Sequence, residues 1–183
     1  MKIACMLSNG FEDIEALGTV ALLRRGGLQV DYISVFNTEI VEGSYGTKVL
    51  ADQFLHQITP EEYDGVFLPG GRHSSVLRET ATVKEFVSVM HGSGKWLMAI
   101  CAAPSVFGVM GLLDGVHYTS FPSTEIFMPK GIRENVFAIR DGHIITGRGA
   151  GAVYEFVYEI LSALLSKEKA EEVMKRTQHV INE

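Results

Sequence analysis

The sequence predicts an α/β fold, a mostly parallel sheet with helices on both faces. Two observations carry this reading. Short continuous apolar runs such as KIACML, DGVFLPGG and WLMAI suit strands buried on both sides. They alternate with longer segments whose apolar residues recur at helical spacing. Strands separated by helices form βαβ units, and the crossovers place helices on both faces of one sheet.

The elements follow in order. KIACML, residues Lys2–Leu7, is the first strand. Phe11–Gly27 is a helix with apolar positions Ile14, Leu17, Val20, Ala21 and Leu23, closed by Arg24, Arg25 and a glycine stop at Gly26. LQVDYISV is the next strand, and EIVEGSYGTKVLADQ is a small hairpin bent around Gly43 and Gly46. DGVFLPGG is a strand ending in Pro-Gly-Gly, TATVKEFVSVMHGSGK a helix, and WLMAI a strand that runs into a helix from Ala102. A short strand near VHYTS precedes a loop through Phe121–Gly131. NVFAIRDGHIITG is a hairpin whose Asp141-Gly142 turn carries a type I′ signal. AGAVYEFVYEILSALLS and KEKAEEVMKRT are the closing helices.

Composition bounds the function. The 183 residues suit one domain, 1–183, and 46% hydrophobic content supplies a full core. A net charge of −6 argues against nucleic acid as the main partner. Two cysteines exclude a disulfide framework and a four-cysteine zinc site, and they suit a reducing, cytoplasmic setting. The start MKIACMLSNGFEDIE reads as a strand, not a signal peptide, and no apolar run approaches the roughly 18 residues of a membrane span. None of the six histidines forms a pair with zinc-ligand spacing, so neither metal nor cofactor is expected.

In such sheets, sites lie beyond the carboxyl ends of the strands. Three strand ends qualify: LSNGFEDIE, LPGGRHS and AICAAP. Cys101 stands where the WLMAI strand turns sharply into a helix, the grammar of a nucleophile elbow. Ala99, Ala102 and Ala103 are small enough for the turn to close, and Pro104 fits a first helical turn. A helix N-terminus beside the thiol lowers its pKa and favours thiolate. The alternative is a buried structural cysteine, and that is the reading for Cys5, mid-strand among apolar residues. Gly70 and Gly71 present bare backbone N–H groups at a neighbouring strand end, as an oxyanion hole does. Glu12 and Asp13 read as acids at a helix N-terminus. Glu15 falls within the apolar pattern, where a carboxyl facing a pocket has a raised pKa and can carry a proton. His73 follows the glycine pair and is a candidate to face the site.

Together SNGFEDIE, FLPGG, AICAAP and GRGAGAVYEF resemble, in order and spacing, the ThiJ/PfpI superfamily and its parkinsonism-associated deglycase branch. The resemblance covers essentially the whole chain. It implies a flavodoxin-like three-layer sandwich and a homodimer with the first helix at the interface. It makes Cys101 the elbow cysteine, Glu15 its protonated carboxyl partner, and Gly70, Gly71 and Ala102 backbone donors. It places Arg25 and Arg148 near the interface and pocket. The activities it implies are glutathione-independent glyoxalase, deglycation of methylglyoxal adducts, peroxide sensing and chaperone action. The partners are then a small 2-oxoaldehyde or glycated adducts. Three positions depart from the pattern. Phe121-Pro122 stands where the branch has His-Pro, Tyr45 where an arginine is usual, and Ala102 where the peptidase-like branch has histidine. Peptidase chemistry is therefore not expected. The open readings are a glyoxalase or deglycase, a redox sensor, and a chaperone-like protein.

Overall fold

A computed structural model describes residues 1–180; the last three residues of the expected single domain, 181–183, lie outside it. The strands are β1 (Lys2–Leu7), β2 (Gln29–Ser34), β3 (Ile40–Glu42), β4 (Lys48–Leu50), β5 (Gln53–Phe54), β6 (Gly65–Leu68), β7 (Trp96–Ile100), β8 (His117–Tyr118), β9 (Ile132–Arg133), β10 (Ala138–Asp141) and β11 (Ile144–Gly147). The helices are α1 (Asp13–Arg25), α2 (His73–Glu79), α3 (Ala81–Gly92), α4 (Pro104–Val109), α5 (Val153–Leu164) and α6 (Lys167–Arg176).

Seven strands form the central sheet in the order β10-β11-β7-β6-β1-β2-β5. All neighbours are parallel except β10 and β11. Side chains alternate across each strand, which explains the continuous apolar runs. Ile3, Cys5 and Leu7 of β1 face a core shared with α1, α5 and α6. Ala4 and Met6 face the opposite core, shared with α2, α3 and α4. Met98 and Ile100 of β7 point to the first core, and Leu97 and Ala99 to the second. The three-layer sandwich is therefore present.

Three local expectations need correction. The α1 residues turned to the core are Ala16, Thr19, Val20, Leu22 and Leu23, while Ile14 is 59% exposed. The helix carries two apolar stripes; in the second, Ile14 and Ala21 are exposed and Leu17 is half-buried at the border of the first core. The last hairpin turns one residue later than expected. Asp141 pairs with Ile144, so the loop is Gly142-His143. Gly142 has φ +58° and His143 does not share the positive φ that a type I′ turn requires, so the turn is of the II′ kind. Helix α2 had no counterpart in the sequence reading. HSSVLRE is too short to show a period, and it sits against the Gly-Gly turn.

In the first core Phe67 packs on Phe156, both fully buried with ring centroids 5.7 Å apart. Phe67→Ala is expected to cost about 3–5 kcal/mol, because the surrounding strands collapse only partly into the cavity. Urea denaturation followed by far-UV circular dichroism measures it.

Candidate active site

The sheet order places the ends of β7, β6 and β1 side by side, and these three ends build one pocket of about 660 Å³. Glu12, Glu15, Ser44, Tyr45, Gly71, Arg72, Cys101, Ala102, Phe121 and Ala150 line it. Of the residues singled out in the sequence, Cys101, Glu12, Glu15, Tyr45, Gly71, Ala102 and Phe121 therefore meet.

Cys101 lies directly after β7 with φ +64°, a left-handed conformation that a non-glycine residue adopts at a cost. Two bonds hold it there: its N–H donates to Gly147 O at 2.9 Å, and its carbonyl accepts from Phe121 N at 2.8 Å. The turn continues through Ala102 and Ala103 before α4 begins at Pro104. The expected helix start at Ala102 thus comes two residues later.

Glu15 is 1% exposed in the first turn of α1. Its backbone N–H donates to the Glu12 carboxylate at 2.7 Å, so Glu12 serves as the N-cap. Its Oε2 accepts from Gly70 N at 2.8 Å, and its carboxyl interacts with the Cys101 thiol. The Gly70 amide is therefore committed to the carboxyl, which corrects its assignment as an oxyanion donor. The same approach demands glycine: a methyl group on Gly70 would collide with Glu15 Oε2 and Cys101 Cβ. The Gly71 and Ala102 amides remain as donors, and both act on the Cys101 sulfur.

Electrostatics follow from this geometry. Burial pushes the Glu15 carboxyl up to about 7, with the charge of Glu12 adding to the effect and the Cys101, Gly70 and Ala150 hydrogen bonds opposing it. Burial also pushes the Cys101 thiol up, and ionised Glu15 pushes it further; the Ala102 and Gly71 amides pull the other way. The expected fall in thiol pKa is thus reversed, chiefly because the thiol is buried and further because Glu15 stands beside it. A protonated Glu15 removes the like charge, so the two groups titrate as one unit. Cys5 is buried, and desolvation pushes its thiol up, as its mid-strand setting implies.

His73 does not face the pocket. It is fully buried, with Nδ1 accepting from Ser8 N at 3.2 Å and Nε2 donating to Pro69 O at 2.8 Å. Desolvation lowers its pKa to about 4, so the ring is neutral. Its role is to join the end of β1 to the end of β6. Arg25 and Arg148 do not line the pocket either. Arg25 borders a groove with Val173 and Arg176 on α6, and Arg148 donates its backbone N–H to Phe137 O.

Two residues went unrecognised in the sequence. Asp13 does more than favour a helix start. Its carboxylate accepts from Tyr45 N at 3.0 Å and Thr47 N at 3.1 Å, fixing the loop that carries Ser44 and Tyr45 to the pocket rim. Arg72 brings a guanidinium to that rim, with Nη2 3.3 Å from Ser44 O. Its place directly after Gly70-Gly71 was the available signal.

An α/β sandwich with a left-handed cysteine elbow beside a buried carboxyl defines a class of proteins. Residues 1–163 match the DJ-1/PfpI family, and the chain belongs to that family. It is similar to Protein dj-1beta of Drosophila melanogaster, at 33% identity over 93% of this chain and 92% of that one. It is similar to the glutathione-independent glyoxalase DJR-1.2 of Caenorhabditis elegans, at 31% identity over 90% and 88%. Deglycase PH1704 of Pyrococcus horikoshii matches at 30% identity over 90% and 99%. Among solved structures, oxidized DJ-1 of Toxoplasma gondii superposes with a TM-score of 0.93 at 29% identity, covering 98% of this chain and 99% of that one.

Because folded Glu15 holds its proton more tightly than the unfolded chain does, its contribution to stability falls as pH rises from about 4.5 through about 7. Glu15→Gln abolishes this. Relative to wild type, the variant is expected to gain about 3 kcal/mol across that window. Urea denaturation of both proteins at pH 5 and pH 8 measures it, and a constant difference would contradict the assignment.

Proposed function

We propose that the chain is a cysteine-dependent glyoxalase or deglycase-like enzyme acting on methylglyoxal or its adducts. The observation that carries the reading is the elbow thiol of Cys101 beside a buried carboxyl that keeps its proton up to about pH 7. The names of the relatives in Caenorhabditis elegans and Pyrococcus horikoshii support it.

The chemistry follows from the groups present. The Cys101 thiolate adds to the aldehyde carbon, and the new oxygen anion takes N–H bonds from Gly71 and Ala102. Glu15 gives that oxygen a proton. As a carboxylate it then removes the proton from the former aldehyde carbon, the hydroxyl proton passes to the neighbouring carbonyl oxygen as the enediol rearranges, and Glu15 returns its proton to that neighbouring carbon. The result is a thioester of a 2-hydroxy acid, which water hydrolyses to the free acid and the thiol. Methylglyoxal and water thereby give lactate with no external oxidant. On a glycated protein the same attack at the aminocarbinol carbon releases the amine. Arg72 supplies the positive charge at the rim that Tyr45 does not.

A second reading, peroxide sensing, is favoured by Phe121. It lines the pocket where an imidazole base would stand, and it leaves Glu15 as the proton carrier nearest the thiol. A sensor needs only the thiolate and an open path to it.

The two readings part at Glu15. As an enzyme, the Cys101→Ser variant loses methylglyoxal turnover, and Glu15→Gln loses about 10²–10⁴-fold of kcat, the usual contribution of a general acid–base group. Lactate formation measures both. Wild-type protein that forms no lactate, together with sulfinate formation under peroxide in both wild type and Glu15→Gln, would point to the sensor, whereas full turnover in Glu15→Gln would overturn the role of Glu15 as proton carrier.

We also infer a homodimer built on the outward stripe of α1. Ile14 and Ala21 are exposed there and Leu17 is half-buried, an apolar surface spaced for a helix partner. Light scattering is expected to give twice the chain mass for wild type and the single mass for Ile14→Glu.

A further inference from the structure

His91 and His143 are 52 residues apart in sequence, a separation that carries no zinc-ligand spacing. The fold brings them together at the amino edge of the sheet, the end opposite Cys101. His91 lies in the last turn of α3, and His143 occupies the tight turn between β10 and β11. His91 Nδ1 and His143 Nε2 lie 3.0 Å apart, both rings half-buried. We propose that this pair is a two-histidine binding site for a first-row divalent cation of the Ni²⁺ or Cu²⁺ kind.

Distances favour that class of ion. Two nitrogens 3.0 Å apart, each about 2.05 Å from one ion, subtend about 94°. That is the right angle between adjacent ligands in square-planar or octahedral coordination, the preference of Cu²⁺ and Ni²⁺. Tetrahedral zinc needs the nitrogens about 3.3 Å apart. The rings agree. Their centroids are 4.9 Å apart, against about 5.3 Å for rings meeting head-on and about 4.7 Å for rings ligating one ion through these atoms.

The surroundings are equally suited. The His143 carbonyl accepts from Leu97 N at 2.9 Å, and the His91 carbonyl accepts from Gly94 N at 2.9 Å, so both backbones are fixed. The carboxyl end of α3 attracts positive charge. When the ion enters, the ring that donated moves its proton to its outward nitrogen, both rings stay neutral, and no proton is released. Among the described residues no group of three His, Cys, Asp or Glu is placed to hold a metal, so the two imidazoles are the side-chain ligands of the proposed site.

The test is isothermal titration of Ni²⁺ into untagged protein carrying Cys101→Ala, which removes the competing thiol. One equivalent is expected to bind, at least tenfold more weakly in His91→Gln and in His143→Gln. As a check free of folding effects, substoichiometric Ni²⁺ in the parent protein is expected to broaden the His91 and His143 imidazole resonances before those of the other four histidines. Absence of binding, affinity that survives both substitutions, loss through only one histidine, or broadening elsewhere first would each overturn the proposal.

Discussion

The bond from the Gly70 amide to the Glu15 carboxyl is the contact on which the site depends. It ties the start of α1 to the end of β6 and leaves no room for a side chain between them. Cys101 enters the same space from β7. Neighbouring strand ends thus deliver a thiol, a carboxyl and two amides within one pocket. The left-handed backbone at Cys101 is stored strain, held by bonds to β11 on one side and to the Phe121 loop on the other. Rigid supports of this kind position reacting groups more tightly than loops alone.

Charge is arranged with similar economy. Of the three acids at the start of α1, each has a different task set by its surroundings. Glu12 caps the helix, Asp13 accepts two amides from the β3–β4 loop, and Glu15 is held dry. Asp13 has its pKa lowered, since hydrogen bonds from Thr47 and Tyr45 outweigh its desolvation. Glu15 moves the other way. Two carboxyls two residues apart are thereby separated into a fixed anion and a proton carrier, the pattern by which environments assign acid and base roles.

The layers were legible in the sequence because strands buried on both faces leave unbroken apolar runs, and the cysteine elbow because small residues and a proline surround it. Glu15 was legible as a carboxyl out of place. What escaped is long-range. Nothing near Gly70 says that its amide meets a side chain 55 residues away, so it looked like a free donor. His73 sits beside the glycine pair in sequence, yet the first turn of α2 rotates it under the sheet end. Arg72, one residue earlier, points to the rim instead. On α1 two apolar stripes coexist, and periodicity cannot say which one meets the sheet.

The buried His73 joint carries a consequence of its own. Its Nδ1 receives the Ser8 amide, so a proton arriving there would face an N–H already pointing at it. Desolvation enforces the same exclusion, with the ring's pKa lowered from 6.5 to about 4. Stability from this neutral ring is present above pH 6.5 and drains away as pH falls toward 4. The joint connects the two strand ends that carry the pocket, so this loss falls on the chassis of the site. Over much of the same range Glu15 takes up its proton and adds stability, so the frame of the site and its buried carboxyl answer acid in opposite directions.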